Sequence, residues 1–235
     1  MKKAFTILCA AMFSLASLPS FAQFKLGVTV GVSSNSIGYN LEDSDDEDDL
    51  KDATKAKIGY TVGLAAEYGF SEAVSLQTGL LLANKGYKIE FDEDGISAKQ
   101  KTSLTYLEIP LNLAFKISNF QLHAGPYVGF GLSGKEEAEY EIGGESESEE
   151  GKFKFKNKVS ESDLEDLQDD EDYLRRTDFG LNLGVGYRLG PVLVTATYSK
   201  GLSKLAPSYD GNDDDDDDKF MNKGISLAAT WFFNK

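Results

Sequence analysis

Cysteine, histidine and tryptophan each occur once in this 235-residue chain, and proline five times. Cys9 falls inside an apolar N-terminal run, so the remainder has no thiol chemistry and no disulfide to stiffen it. The scarcity of histidine narrows catalysis. A Ser–His–carboxylate hydrolase would have to be built on His123, and no G-x-S-x-G elbow accompanies it. Positive charge is also short. With 24 basic against 39 acidic side chains, the chain lacks the basic stripe that a nucleic-acid surface requires. Nor does it carry an uninterrupted apolar run of the ~20 residues that a spanning helix needs.

The N-terminal run reads as an export signal. Lys2-Lys3 supply the positive start, AFTILCAAMFSLASL an apolar core of signal-peptide length, and SFAQ the small residues of a cleavage site after Ala22. Ile7-Leu8 ahead of Cys9 do not provide the small residue that lipidation requires. We expect a signal peptide over 1–22 and one domain over 23–235. That domain keeps 22 of the basic residues and all 39 acidic ones.

What the chain has in quantity is alternation. Eight segments alternate apolar with polar or small residues, the period-2 signature of strands with two different faces. They are FKLGVTVGVSS, KIGYTVGLAAEYGF, AVSLQTGLLLANKGY, LTYLEIPLNLAFKI, FQLHAGPYVGFGLS, FGLNLGVGYRLG, VLVTATYSKGL and GISLAATWFF. Their polar face is mostly glycine, with a few charges. Such a face suits a crowded lumen better than open solvent.

The connections sharpen this reading. FSEA, SN and GP are short, whereas those at about 39–57, 89–102, 134–177 and 203–222 are long. The long ones hold 35 of the 39 acidic residues, including the six aspartates of GNDDDDDDK. Charge at mid-membrane depth is expensive, so it collects in loops that reach past the lipid. Tyr60 and Tyr68, Phe120 and Phe130, Phe179 and Tyr187, and Trp231 and Phe233 fall near strand ends on the apolar face, as interfacial girdles do. The expected fold is therefore all-β: an eight-stranded antiparallel transmembrane up-and-down β-barrel with long acidic extracellular loops.

The runs YLEIPLNLAFKI, GPYVGFGLSGK, DFGLNLGVGYRLGPVLVTATYSKGLSKL and ISLAATWFF resemble the PorT-like family of outer-membrane β-barrel proteins. The resemblance implies an eight-stranded barrel in the outer membrane, and its namesake takes part in protein secretion. Functionally we expect a non-catalytic structural or surface-interaction barrel. The alternatives are a component of a secretion or envelope-assembly system and, further off, a lipid-modifying enzyme. By strand parity His123 faces the lumen with Gln121, Gly125 and Tyr127, away from lipid.

The same parity places Glu67, Glu108, Lys116 and Arg188 in the lumen, where they are expected to form an ionic network that plugs it. No catalytic residue or cofactor is assigned, and no metal ligand either, because the acidic runs lack a calcium-loop pattern. Expected partners are outer-membrane lipids, with weak divalent cations or a cationic surface partner at the acidic loops, and the protein is expected to be a monomer. Within 134–177, EEAEYEI and KFKFKNKV are expected to pair as a hairpin that sets Glu137, Glu139 and Glu141 beside Lys152, Lys154 and Lys156. A helix is expected over SESDLEDLQDDEDYLRR, opened by a Ser162–Glu165 capping box.

Overall fold

In a computed structural model the protein is described over residues 24–40, 53–93, 96–142, 145–209 and 219–233. The expected signal peptide and the six-aspartate run lie outside the described residues.

Eight long strands carry the fold: β1 Phe24–Asn40, β2 Thr54–Gly69, β3 Val74–Glu93, β4 Ile96–Ile117, β5 Phe120–Ile142, β9 Thr177–Leu189, β10 Val192–Gly201 and β12 Lys219–Phe232. Each is antiparallel to its neighbours, in the order β1-β2-β3-β4-β5-β9-β10-β12, and β12 pairs back with β1 to close a ring. The outward face is apolar and bare, as a face wetted by lipid must be: Val30 is 58%, Leu64 57% and Leu183 64% exposed. The inward face holds the glycines, hydroxyls and charges.

Aromatic side chains mark both edges of the apolar band. At the short-turn end, Phe120 meets Tyr187 at 4.7 Å and Trp231 meets Phe233 at 5.6 Å, both edge to face. Tyr60, Phe130 and Phe179 are exposed nearer the other end. From Phe179 to Tyr187 the strand runs about 26 Å at ~3.3 Å per residue, or roughly 20 Å along the membrane normal at the ~35–45° tilt of such strands, most of the ~25 Å band of outer-membrane barrels. Ser118 and Gly190 enter the left-handed region (φ 57° and 60°), which lets the two-residue connections SN and GP turn the chain at once.

The long-hairpin end departs from the expectation of loops. Much of 89–102 is paired strand rather than loop: β3 and β4 run on in register to Glu93↔Ile96, with Glu90 facing Lys99. β5 likewise continues to Ile142 and pairs with β6, Glu145–Phe155. A bulge between Thr105 and Tyr106 inserts Leu132 into β5, bending the ladder where the barrel gives way to the projecting sheet. Beyond β6 come β7 Lys158–Val159, the helix α1 Glu161–Glu165, and β8 Glu171–Leu174 parallel to β6. β11, Ser208–Tyr209, pairs with β7. Among the described residues no helix is long and apolar enough to cross a membrane.

Candidate lumen and rim sites

Parity on β2, β4 and β9 directs Glu67, Lys116 and Arg188 into the lumen near the short turns. Glu67, 1% exposed at its side chain, takes Lys116 Nζ on Oε1 at 2.8 Å and Arg188 Nη2 on Oε2 at 2.7 Å. Gln77 donates to the same Oε2 at 2.9 Å. Gln77 and Gln121 then exchange amide hydrogen bonds at 3.1 and 3.2 Å, a floor that links β3 to β5 inside the barrel. Gly186 makes room for that floor, since a Cβ there would come within 2.8 Å of Gln121 Cγ.

Above this floor is a cavity of about 130 Å³ lined by hydroxyls, among them Thr29, Thr61, Thr195, Thr197 and Thr230, and by apolar side chains such as Leu81, Leu193 and Phe232. His123 borders it, 3% exposed, with Nε2 3.0 Å from Thr197 Oγ1. No hydrogen-bonded carboxylate orients its ring among the described residues, and Nδ1 is unpaired there. The histidine is thus placed as a lumen side chain without the partners of an acyl-transfer site.

Glu108 does not join Glu67. It pairs instead with Lys85 at 2.7 Å, and Lys85 also reaches Asp178 at 3.1 Å. Asp178, 1% exposed, collects Ser203 Oγ at 3.0 Å and Asn222 Nδ2 at 3.1 Å as well. The Lys85 ammonium lies 4.2 Å from the centroid of the Tyr127 ring, adding a cation–π contact. The expected single network of four is therefore two clusters, and Lys85 and Asp178 complete the second. Both stand on inward positions of their strands, so parity alone could have found them.

A hydrophobic core lies at the long-hairpin end. Ile37, Leu104, Tyr106 and Leu205 are buried together, with Tyr39, Tyr87, Phe153, Phe155, Leu174 and Phe220 packed around them. Leu205 belongs to the segment after β10, which turns inward: its N–H bonds Phe220 O and its carbonyl accepts from Arg175 N. The Phe155 ring lies against Gly131, where any side chain would collide with it.

The β5–β6 hairpin is present in a different register from the expected one. Glu137 faces Glu150 and Glu139 faces Ser148 on β6, because pairing runs up to Ile142↔Glu145 and leaves only Gly143-Gly144 between the strands. A Gly-Gly dipeptide is a strong two-residue hairpin signal, and it outweighs charge matching. The glutamates find lysines on the other side: Lys99 faces Glu139, and Lys101 binds Glu137 at 2.8 Å.

Lys152, Lys154 and Lys156 turn to the acidic segment instead, pairing with Asp170 (3.3 Å), Glu171 (2.5 Å) and Asp163 (2.5 Å). Those pairs end the helix early. α1 is capped by Ser160 and Asp163 rather than Ser162 and Glu165, with Ser160 N 3.0 Å from Asp163 Oδ2. It stops at Glu165, and Glu171–Leu174 is strand, with Tyr173 buried. A continued helix would crowd Asp166, Asp169 and Asp170 on one another, whereas the strand brings acidic side chains to lysines. The Lys156 ammonium and Ser160 hold the Asp163 carboxyl down from 3.8 to about 2. Lys101 lowers Glu137 in the same way. Among the described residues no group of His, Cys, Asp and Glu is arranged to hold a metal ion.

A family model described as outer membrane protein beta-barrel domain matches residues 21–206. A search of curated proteins finds no match. Among solved structures, the chain is similar to Ail of Yersinia pestis at 15% identity, with 90% of this chain and 99% of that one covered and a TM-score of 0.39. It is similar to neisserial surface protein A at 12% identity, covering 88% and 96%, with a TM-score of 0.38. For the N-terminal β-barrel domain of Pseudomonas aeruginosa OprF, identity is 11%, coverage 87% and 97%, and the TM-score 0.29. With the family model spanning most of the chain and a closed ring of strands beneath an apolar exterior, the protein belongs to the outer membrane protein β-barrel domain family and resides in the outer membrane.

Proposed function

We propose that the protein is a non-catalytic, monomeric barrel of eight membrane-crossing strands, whose lumen is closed and whose role is to hold a structured acidic surface outside the cell. On this reading a signal peptide over 1–22 directs export, the short turns face the periplasm and the long hairpins face outward. The observation that carries it is the rim core. Phe153, Phe155 and Leu174 from β6 and β8 pack onto Leu104, Tyr106 and Leu205 of the barrel, so the projecting sheet is fixed to the barrel rather than tethered. A fixed sheet flanked by acidic runs suits a cationic partner, with divalent cations held only weakly.

Two measurements test this. Planar-bilayer recordings are expected to show no steady open level, and a large, stable conductance would overturn the closed lumen. The mature chain has no cysteine, so Ser148→Cys supplies a single thiol on β6. It should react with a membrane-impermeant maleimide on intact cells. Reaction only after permeabilisation would reverse the orientation.

The second reading is a component of a secretion or envelope-assembly system, favoured by the PorT-like runs such as YLEIPLNLAFKI. Loss of protein export in a deletion strain would move the function there.

A further inference from the structure

At the short-turn end, three cations converge in a chain that is otherwise strongly acidic. Lys25, Lys116 and Arg188 line an open vestibule of about 330 Å³ together with Glu67, Ser118 and Asn119. Two of the cations are held in place. Arg188 is fixed by its Nη2 contact to Glu67 and by the Phe232 ring, whose centroid is 5.0 Å from Cζ. Lys116 is fixed by Glu67 Oε1. Both keep N–H groups that have no acceptor among the described residues. Lys25 faces Glu67 across the β1–β2 ladder, and its ammonium makes no hydrogen bond or ion pair among them.

Glu67 offsets one of the three positive charges and leaves two. Glu72 also borders the vestibule, but it stands on the exposed turn, where water screens it. A carboxylate ligand would leave one charge unbalanced, whereas a dianionic phosphate group balances both and matches a guanidinium fork flanked by ammonium groups. The hydrogen-bonded Gln77–Gln121 pair stands between the vestibule and the cavity above.

We propose that this vestibule is a receptor for a phosphate group presented at the short-turn side of the membrane, either on a small soluble molecule or on a lipid headgroup. The inference goes beyond the surface role and survives its failure, because it depends on neither the conductance nor the projecting sheet.

The test uses the mature protein in a phosphate-free maltoside detergent. Inorganic phosphate is titrated while the side-chain resonances of Lys25 and Arg188 are followed, with sodium chloride at matched ionic strength as the control. Saturation near ~1 mM is expected for an open site with a few charge-assisted bonds. Lys25→Gln should weaken it about tenfold, the scale of one such bond, and Lys25→Arg should restore it. Equal shifts with chloride, or unchanged affinity in K25Q, would overturn the proposal. In nanodiscs containing phosphatidic acid, whose phosphomonoester can carry two charges, and no added phosphate, saturated Lys25 and Arg188 signals would support it and assign the group to a lipid headgroup. Free signals there, with phosphate binding retained, would support it and assign the group to a soluble molecule.

Discussion

The two ends of the barrel solve one problem with opposite charge counts. Near the short turns one carboxylate, Glu67, is held by two cations; near the long hairpins one ammonium, Lys85, is held by two carboxylates. The surroundings differ as well. Lys116 and Arg188 are 20% exposed at their side chains and share an open vestibule with water, whereas Lys85 is 10% and Asp178 1% exposed beneath a hydrophobic core. A buried charge without its partner costs far more than one that water can reach. The hairpin end is therefore built for permanence, and the turn end retains unspent donors.

The largest expected effect breaks the buried cluster. Lys85→Met strands Glu108 and Asp178 and should destabilise the barrel by about 3–5 kcal/mol, read from the urea midpoint in detergent or from heat-modifiable gel migration. Adding Glu108→Gln and Asp178→Asn to that variant should recover part of the loss. No recovery would mean that packing, not charge, accounts for it. Next comes the core above the cluster: Leu205→Ala should cost about 2–4 kcal/mol through the cavity it leaves. It should also raise amide exchange in β6 and β8 more than in β1.

Glu67→Gln sharpens the contrast from the other end. Both cations it releases face water, so the expected cost is smaller, about 1–2 kcal/mol. A loss as large as that of Lys85→Met would show that the vestibule is drier than its geometry implies.

The smallest effect is local and depends on pH. Asp163 is acidified by Lys156 and Ser160 from 3.8 to about 2. The stability it contributes is complete above about pH 4 and is lost as pH falls through 2. Amide protection over 160–166 should therefore fade between those values. In Asp163→Asn it should already be reduced at neutral pH.

The contrast also divides what the sequence disclosed from what it concealed. Within the membrane band a strand has only two faces, so alternation is enough to put Glu67, Lys116 and Arg188 on the inward face. It also set Glu108 on the inward face, but parity carries no depth, and depth is what separates Glu108 from Glu67. At the hairpin end the governing contacts join pieces that alternation treats as unrelated. Leu205 comes from a segment whose composition is that of a loop, and Phe153 and Phe155 from a hairpin whose register does not follow its charge pattern. The lysines of KFKFKNK matched glutamates on β5 in sequence, yet the same lysines met Asp163, Asp170 and Glu171 once the chain doubled back.

Barrel closure also sets an order of events. The seam between β1 and β12 joins the first described strand to the last, and the Thr29–Thr230 hydroxyl contact at 2.7 Å spans 201 positions of sequence. Contacts that distant come late, because the intervening loop must first give up its freedom. Every other strand can find a neighbour as the chain emerges, but β1 keeps an open edge until β12 arrives. An open edge is a template for unwanted pairing. The chain must therefore be kept apart from its own copies until its final strand has been delivered, and assembly, more than the finished barrel, is the stage at which it is vulnerable.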